Sequence, residues 1–199
     1  MVARLPDVTG ALVAGGLAAR MGGGAKGLLR LDGEPIAARA LRLFDLRLGA
    51  ALVVANDPAP YAALGAPIVP DAIPGRGAPG GLHAALLAAP TGWVFAAACD
   101  MPFLAFPPIA LLAARRGAAP AVVPRWAGRL EPLHALWSRA CLPALEAALA
   151  RGAPSLRWLA AEVGAAIVEP EDWARVDPGG RALSNANTPA DAARLGLTR

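Results

Sequence analysis

Several things are scarce in this sequence, and each scarcity excludes something. There are two cysteines, Cys99 and Cys141, far apart and in apolar surroundings. No CxxC spacing exists, which excludes the usual zinc and iron–sulfur motifs and leaves buried free thiols in a reducing compartment. Lysine is almost missing: Lys26 stands alone, so the formal charge of +4 rests on arginine. The arginines are scattered, with no basic run and no interleaved aromatics. That pattern excludes an ordinary nucleic-acid surface and leaves weak attraction for phosphorylated small molecules. No apolar stretch reaches membrane length uninterrupted. The most apolar region, residues 84–114, is broken by Pro90, Gly92, Asp100, Pro102, Pro107 and Pro108. The opening MVARLPDVTG lacks the apolar core of a signal peptide. The expectation is a soluble, cytoplasmic chain with no membrane and no nucleic-acid partner.

What is abundant is alanine, glycine and proline, a mix that suits a compact fold with many turns. At 199 residues the chain is long enough for one domain with a sizeable core, and no linker or repeat divides it. TGALVA (9–14), ALVVAND (51–57), PIVPD (67–71), WVFAAACD (93–100), AVVP (121–124) and AAIVE (165–169) read as short buried strands. Pro35–Leu48, Gly81–Ala89 and Ile109–Arg116 read as helices between them, and 139–163 as two helical stretches parted at Gly152-Ala153-Pro154. Residues 125–138 read as two extended segments joined by a turn at Ala127-Gly128, and Thr188, Pro189 and Asp191 form a helix-start signal. Strands alternating with helices imply an α/β fold with a mainly parallel sheet, whose ligands sit beyond the carboxyl ends of the strands. Gly15-Gly16, Asn56-Asp57, Asp71 and Asp100 all fall at such ends.

The stretch VAGGLAARMGGGAK (13–26) packs five glycines, Arg20 and Lys26 into fourteen residues without a carboxylate. Glycines let backbone N–H groups approach an anion closely, and the two cations add charge for phosphate oxygens. It is not a Walker loop, because Lys26 lies between Ala25 and Gly27 with no Ser or Thr after it. Gly22, Gly24 and Gly27 match GxGxxG, but well beyond the strand, so a dinucleotide fingerprint does not fit.

A different pattern fits: a strand, Ala-Gly-Gly, three residues, Arg-Met-Gly, then a lysine. VAGGLAARMGGGAKGLLRLDGEPI, AACDMPFL and NANTPADAARL, in this order and spacing, resemble three segments of the molybdenum cofactor guanylyltransferase family. The resemblance covers nearly the whole chain. It implies one nucleotidyltransferase domain over 1–199 and a three-layer α/β/α sandwich with a Rossmann-like, mainly parallel sheet. It also implies transfer of GMP from GTP to molybdopterin, Mg²⁺ as cofactor, and transient contact with molybdoenzyme assembly proteins. Ala14-Gly15-Gly16, where CTP-using relatives carry Ala-Ala-Gly, favours GTP.

By the same resemblance Val13, Ala14, Gly15 and Gly16 line the nucleotide, and Arg20 and Lys26 grip the triphosphate. Asp100 holds the metal, Asp71 and Asn56 contact the guanosine, Gly81 stands where backbone closely approaches substrate, and Asn185 and Asn187 lie on the pterin side. The chain departs from the family at three places: Ala25 replaces an Asp, Val54 replaces the first Asn of an Asn-x-Asn pair, and GAPGG (77–81) stands for GPLAG. His83 and His134 read as structural or rim residues, and the tryptophans as core or rim. Two other readings stay open: a cytidylyl- or sugar-phosphate nucleotidyltransferase of the same fold, and a non-catalytic carrier of nucleotide or pterin. Intact Arg20, Lys26 and Asp100 weigh against the carrier, which needs no leaving-group apparatus.

Overall fold

The structure, a computed structural model, describes residues 4–14, 25–73, 75–152 and 155–199. Along the chain run β1 (Leu5–Val13), β2 (Arg30–Leu31), β3 (Glu34–Pro35), α1 (Ile36–Arg47), β4 (Leu48–Val54), β5 (Ile68–Val69), α2 (Gly77–Ala88), β6 (Trp93–Ala98) and α3 (Phe106–Ala114). The second half adds β7 (Ala121–Trp126), β8 (Arg129–Leu130), β9 (His134–Ser138), α4 (Leu142–Ala150), α5 (Leu156–Glu162), β10 (Ala166–Val168), α6 (Pro170–Trp173) and α7 (Pro189–Arg194). The main sheet has the order β10-β7-β9-β6-β1-β4-β5, with β8 paired to β7.

β1 lies between β4 and β6 and runs parallel to both, and β5 and β10 extend the two sides in parallel. The sheet is mostly parallel but mixed, because β9 runs antiparallel to both β6 and β7. A hairpin turn at Ala127 (φ 47°) and Gly128 (φ 75°) sends the chain back from β7, and β9 then fills the slot between β6 and β7.

Apolar residues on alternate sides of the strands feed two cores. One packs α1, α3 and α6 on a face bearing Val8, Leu12, Phe95 and Leu136. The other packs α2, α4 and α5 on the opposite face, with Ala11, Leu52, Val94 and Trp137. This gives the expected three layers.

Several boundaries differ from the sequence reading. β1 begins at Leu5, four residues before the apolar run, since Leu5 already pairs with Leu48. β4 begins at Leu48 and ends at Val54, so Asn56 and Asp57 lie beyond it. α2 begins at Gly77, not Gly81, so GAPGG is the first turn of a helix and not a loop. Gly and Pro read as helix breakers, yet a proline in a first turn forfeits only an N–H that has no partner within the helix.

A small third core joins the β2–β3 hairpin region to the C-terminal segment. Leu29, Leu31 and Ile36 pack with Ala186, Ala192 and Leu197, and Arg30 and Thr198 exchange backbone hydrogen bonds of 2.8 and 2.9 Å. This contact carries the C-terminal segment back to the edge of the sheet where β1, β4 and β6 end.

Candidate active site

The central strands end within hydrogen-bonding reach of one another. The Ala14 N–H donates to the Val54 carbonyl (2.8 Å), and the Cys99 N–H donates to the Val13 carbonyl (3.1 Å). Both ties extend the parallel ladder one residue beyond β1 and β6 and hold Val13, Ala14 and the turn carrying Asp100 in one row.

Asp100 is buried, and its Oδ2 accepts a hydrogen bond from Lys26 Nζ at 3.0 Å. The same ammonium donates to Asn187 Oδ1 at 2.9 Å, and Asn187 Nδ2 donates to Asn185 Oδ1 at 3.0 Å. Four residues singled out in the sequence therefore meet in one chain of contacts. Each is held by local structure. Lys26 opens a short 3-10 turn, Lys26–Leu28, and at Gly27 an added Cβ would lie 3.1 Å from the Tyr61 ring and 3.2 Å from Ala37, so a side chain here would require these neighbours to give by a few tenths of an ångström. Asn187 precedes the capping box of α7, where the Thr188 hydroxyl accepts the Asp191 N–H and the Asp191 carboxylate accepts the Asn187 and Thr188 N–H groups. The Ala186 N–H donates to the Asp100 carbonyl (2.9 Å), pinning that segment beside β6.

A second group lies at the ends of β4 and β5. Asn56 Nδ2 donates to Asp71 Oδ2 (3.1 Å), while the Asp71 N–H donates to Asn56 Oδ1 (2.9 Å). The other carboxylate oxygen, Asp71 Oδ1, is buried with no hydrogen-bond partner. The first turns of α2 close over it: an added Cβ at Gly81 would lie 3.8 Å from Asp71 Oδ1 and 2.7 Å from Val13 Cγ1. Val13, Asp71 and Gly81 are thus neighbours, beside the exposed Asn56. An unpaired buried carboxylate oxygen is costly and calls for a donor.

Gly15, Gly16 and Arg20 lie outside the described residues.

Sequence reading missed the floor of the site. Tyr61 is buried with its hydroxyl on the Cys99 thiol and close to Gly27. Burial pushes the Cys99 thiol up to about 12, with the Asp100 charge adding to the effect, so it stays protonated and is no nucleophile near neutral pH. Burial likewise raises the Tyr61 hydroxyl above its usual range and pushes Cys141 up to about 11. A lone Tyr between prolines and alanines carries no local signal of this placement. His83 has a partner, Glu146 on α4 at 3.3 Å. His134 is fully buried, stacked edge-on against Phe95 and Trp173, and burial lowers it to about 3.

Among the described residues no group of three or more His, Cys, Asp or Glu could hold a metal ion. One buried carboxylate with neighbouring amide oxygens does suit a hard cation such as Mg²⁺. That ion keeps several waters and is bound by one or two carboxylates plus substrate phosphates.

A family model described as MobA-like NTP transferase domain matches residues 10–166. A molybdenum cofactor guanylyltransferase of Cupriavidus metallidurans is 43% identical over 100 residues, covering 49% of this chain and 49% of that protein. The matched stretch thus spans about half the length of that relative. A molybdenum cofactor guanylyltransferase of Yersinia pseudotuberculosis is 34% identical over 190 residues, 94% of this chain and 93% of its own. The crystal structure of a molybdopterin-guanine dinucleotide biosynthesis protein A from Archaeoglobus fulgidus superposes with a TM-score of 0.81 at 24% identity, covering 94% of this chain and 96% of that one. At that identity it speaks for the fold.

Proposed function

Because this chain belongs to the MobA-like NTP transferase family, we propose that it transfers GMP from GTP to the terminal phosphate of molybdopterin and releases pyrophosphate. The observation that carries the reading is the meeting of Lys26, Asp100, Asn185 and Asn187 at the carboxyl end of β6. An ammonium and a buried carboxylate there are what a triphosphate and its divalent cation require.

The acceptor's phosphate oxygen attacks the α-phosphorus of GTP in line. A new P–O–P bond forms as the bond from the α-phosphorus to the bridging oxygen breaks, and that electron pair leaves with pyrophosphate. The acceptor is already an anion at neutral pH, so no Ser, Cys or His nucleophile is needed. Positioning and charge stabilisation supply the catalysis. Lys26 and Arg20 hold the departing pyrophosphate and offset its growing charge. Asp100 would hold Mg²⁺, which when bound withdraws charge from the phosphates. Asn185 and Asn187 face the acceptor.

The base lies by the second group. Guanine offers N–H donors along one edge, and Asp71 Oδ1 is a buried acceptor without a partner. A shift of the first turn of α2 would open that oxygen to the base. Asn56 is exposed beside it, Val13 and Gly81 are its neighbours, and Ala14, Gly15 and Gly16 are assigned to the nucleotide by the resemblance. One nucleotidyltransferase domain over 1–199, a cytoplasmic location and transient contact with molybdoenzyme assembly proteins belong to the same reading. Among the described residues no helix is long and apolar enough to cross a membrane.

The test is pyrophosphate release with Mg²⁺, molybdopterin and either GTP or CTP. Release that needs GTP and the pterin is the expected result. Release with CTP instead would move the protein to the cytidylyl enzymes. Tight GTP binding without release, beside an active control, would leave a carrier.

A further inference from the structure

Lys26 and Asp100 would have separate duties in the transfer reaction, one toward phosphate and one toward the metal. In the structure they occupy each other. Lys26 Nζ sits 3.0 Å from Asp100 Oδ2, and the two side chains keep only 20% and 11% of their exposure. A carboxylate so withdrawn from water needs a cation. Among the described residues the ammonium of Lys26 is the one at ion-pair distance from it. The arrangement is not incidental to a flexible side chain. The turn carrying Lys26 is wedged on Tyr61 and Ala37 through Gly27, and Asn187 takes a second N–H of the same ammonium at 2.9 Å while its own backbone is held by Asp191.

We infer that Lys26 is the resident counter-ion of Asp100, so that a divalent cation reaches this carboxylate only together with a nucleoside triphosphate. The inference rests on the reading of Asp100 as the metal ligand. Metal binding at Asp100 is a charge exchange. A hard cation binds a carboxylate oxygen at roughly 2.0–2.1 Å if it is Mg²⁺, and an ammonium on the same oxygen would stand against it as a like charge. Free metal must therefore displace Lys26 from Asp100, the one carboxylate at ion-pair distance from it among the described residues. A triphosphate changes the balance, because its oxygens are stronger partners for Lys26 than the Asn187 amide is. Lys26 moves to the phosphates, Asp100 is left unpaired, and the metal travelling with those phosphates replaces the lost charge. Withdrawal of Lys26 also frees Asn187 Oδ1, so that filling the nucleotide side releases a group on the acceptor side. Binding of metal and nucleotide is then positively coupled, and the coupling is reciprocal.

The experiment uses Mn²⁺ as the probe, read by the loss of its free-ion electron paramagnetic resonance signal, with no acceptor present and hence no turnover. Wild type, Lys26→Gln, Lys26→Arg and Asp100→Asn are titrated with Mn²⁺ alone. They are titrated again with a GTP analogue carrying methylene between the α- and β-phosphorus. Circular dichroism confirms that each variant is folded. The expected result is weak Mn²⁺ binding by wild type and Lys26→Arg without nucleotide, and binding about tenfold tighter by Lys26→Gln, within the range of ordinary site coupling. The double variant Lys26→Gln/Asp100→Asn should lose that gain. If Lys26→Gln binds Mn²⁺ no better than wild type while Asp100→Asn weakens Mn²⁺ in the presence of the analogue, the counter-ion role is overturned and the metal reading stands. If Asp100→Asn leaves Mn²⁺ binding with the analogue unchanged, Asp100 is not the metal ligand and both fall.

Discussion

Gly81→Ala adds one methyl group where α2 crosses the end of β1. The new Cβ would lie 2.7 Å from Val13 Cγ1, about 1 Å inside the ~3.5–4.0 Å optimum for carbon–carbon contact. Val13 cannot easily yield, since it is β-branched, buried, and paired on both sides of β1. The strain passes to α2, whose first turns cover Asp71 Oδ1. Overpacking of this kind costs about 1–3 kcal/mol, and replacing a helical glycine by alanine returns about 1 kcal/mol. The net loss is about 0–2 kcal/mol, which for a chain of this size lowers Tm by no more than about 8 °C. The functional loss should be larger, because a displacement near 1 Å at a binding group can cost about 100-fold. Thermal unfolding and the GTP dependence of pyrophosphate release measure the two effects separately. The expected outcome is a folded enzyme with kcat/KM for GTP reduced about 10- to 100-fold. Val13→Ala removes the clashing methyl, so in the Gly81→Ala background it should recover part of both losses. Wild-type kinetics in Gly81→Ala, or a Val13→Ala effect that simply adds to the first, would refute the packing argument.

Asp100→Ala should abolish turnover while circular dichroism shows the fold kept, with a lowered Tm from the unpaired Lys26; measurable GMP transfer would remove Asp100 from the machinery. Asn56→Ala deletes both contacts to Asp71 and should raise KM for GTP about 10- to 100-fold with kcat nearly kept, the size expected for hydrogen bonds to a charged group; an unchanged KM would detach the pair from base recognition. His134 is neutral in the folded chain down to about pH 3, whereas in the unfolded chain it titrates near 6.5. Below pH 6.5 the unfolded state therefore binds a proton that the folded state does not. Stability contributed by the neutral ring is complete above 6.5 and falls by about 1.4 kcal/mol per pH unit toward 3. His134→Leu should flatten that part of the acid limb in urea-melt stability against pH, and overlapping curves would show that other groups carry it.

The local features of this protein were legible in its sequence. The runs TGALVA (9–14), ALVVAND (51–57) and WVFAAACD (93–100) read as buried strands because continuous apolar residues suit a sheet covered on both faces. The helix start at Thr188-Pro189-Asp191 read correctly because a capping box is built from residues three apart. Lys26 and Asp100 stood out because a lone lysine in a glycine loop and a carboxylate straight after an apolar strand are chemically conspicuous. What no local signal reported was who meets whom. Lys26 and Asp100 are 74 residues apart in the chain, and Lys26 and Asn187 are 161 apart. They meet because β1 and β6 are parallel neighbours and because a small core folds the C-terminal segment onto the Arg30 hairpin. The turn at Ala127-Gly128 read correctly, but the slot that β9 takes between β6 and β7 was hidden, since a strand's own residues fix its pleat and its buried face but not its neighbours. α2 began earlier than its glycines and proline allowed on propensity alone, because packing against Val13 and Asp71 outweighs a propensity cost of about 1 kcal/mol per glycine. Sequence by itself determined the elements and the chemically capable residues, through short-range sterics and burial pattern. Only the tertiary structure decided that one ammonium would join two of those residues, because that contact depends on long-range closure of the chain.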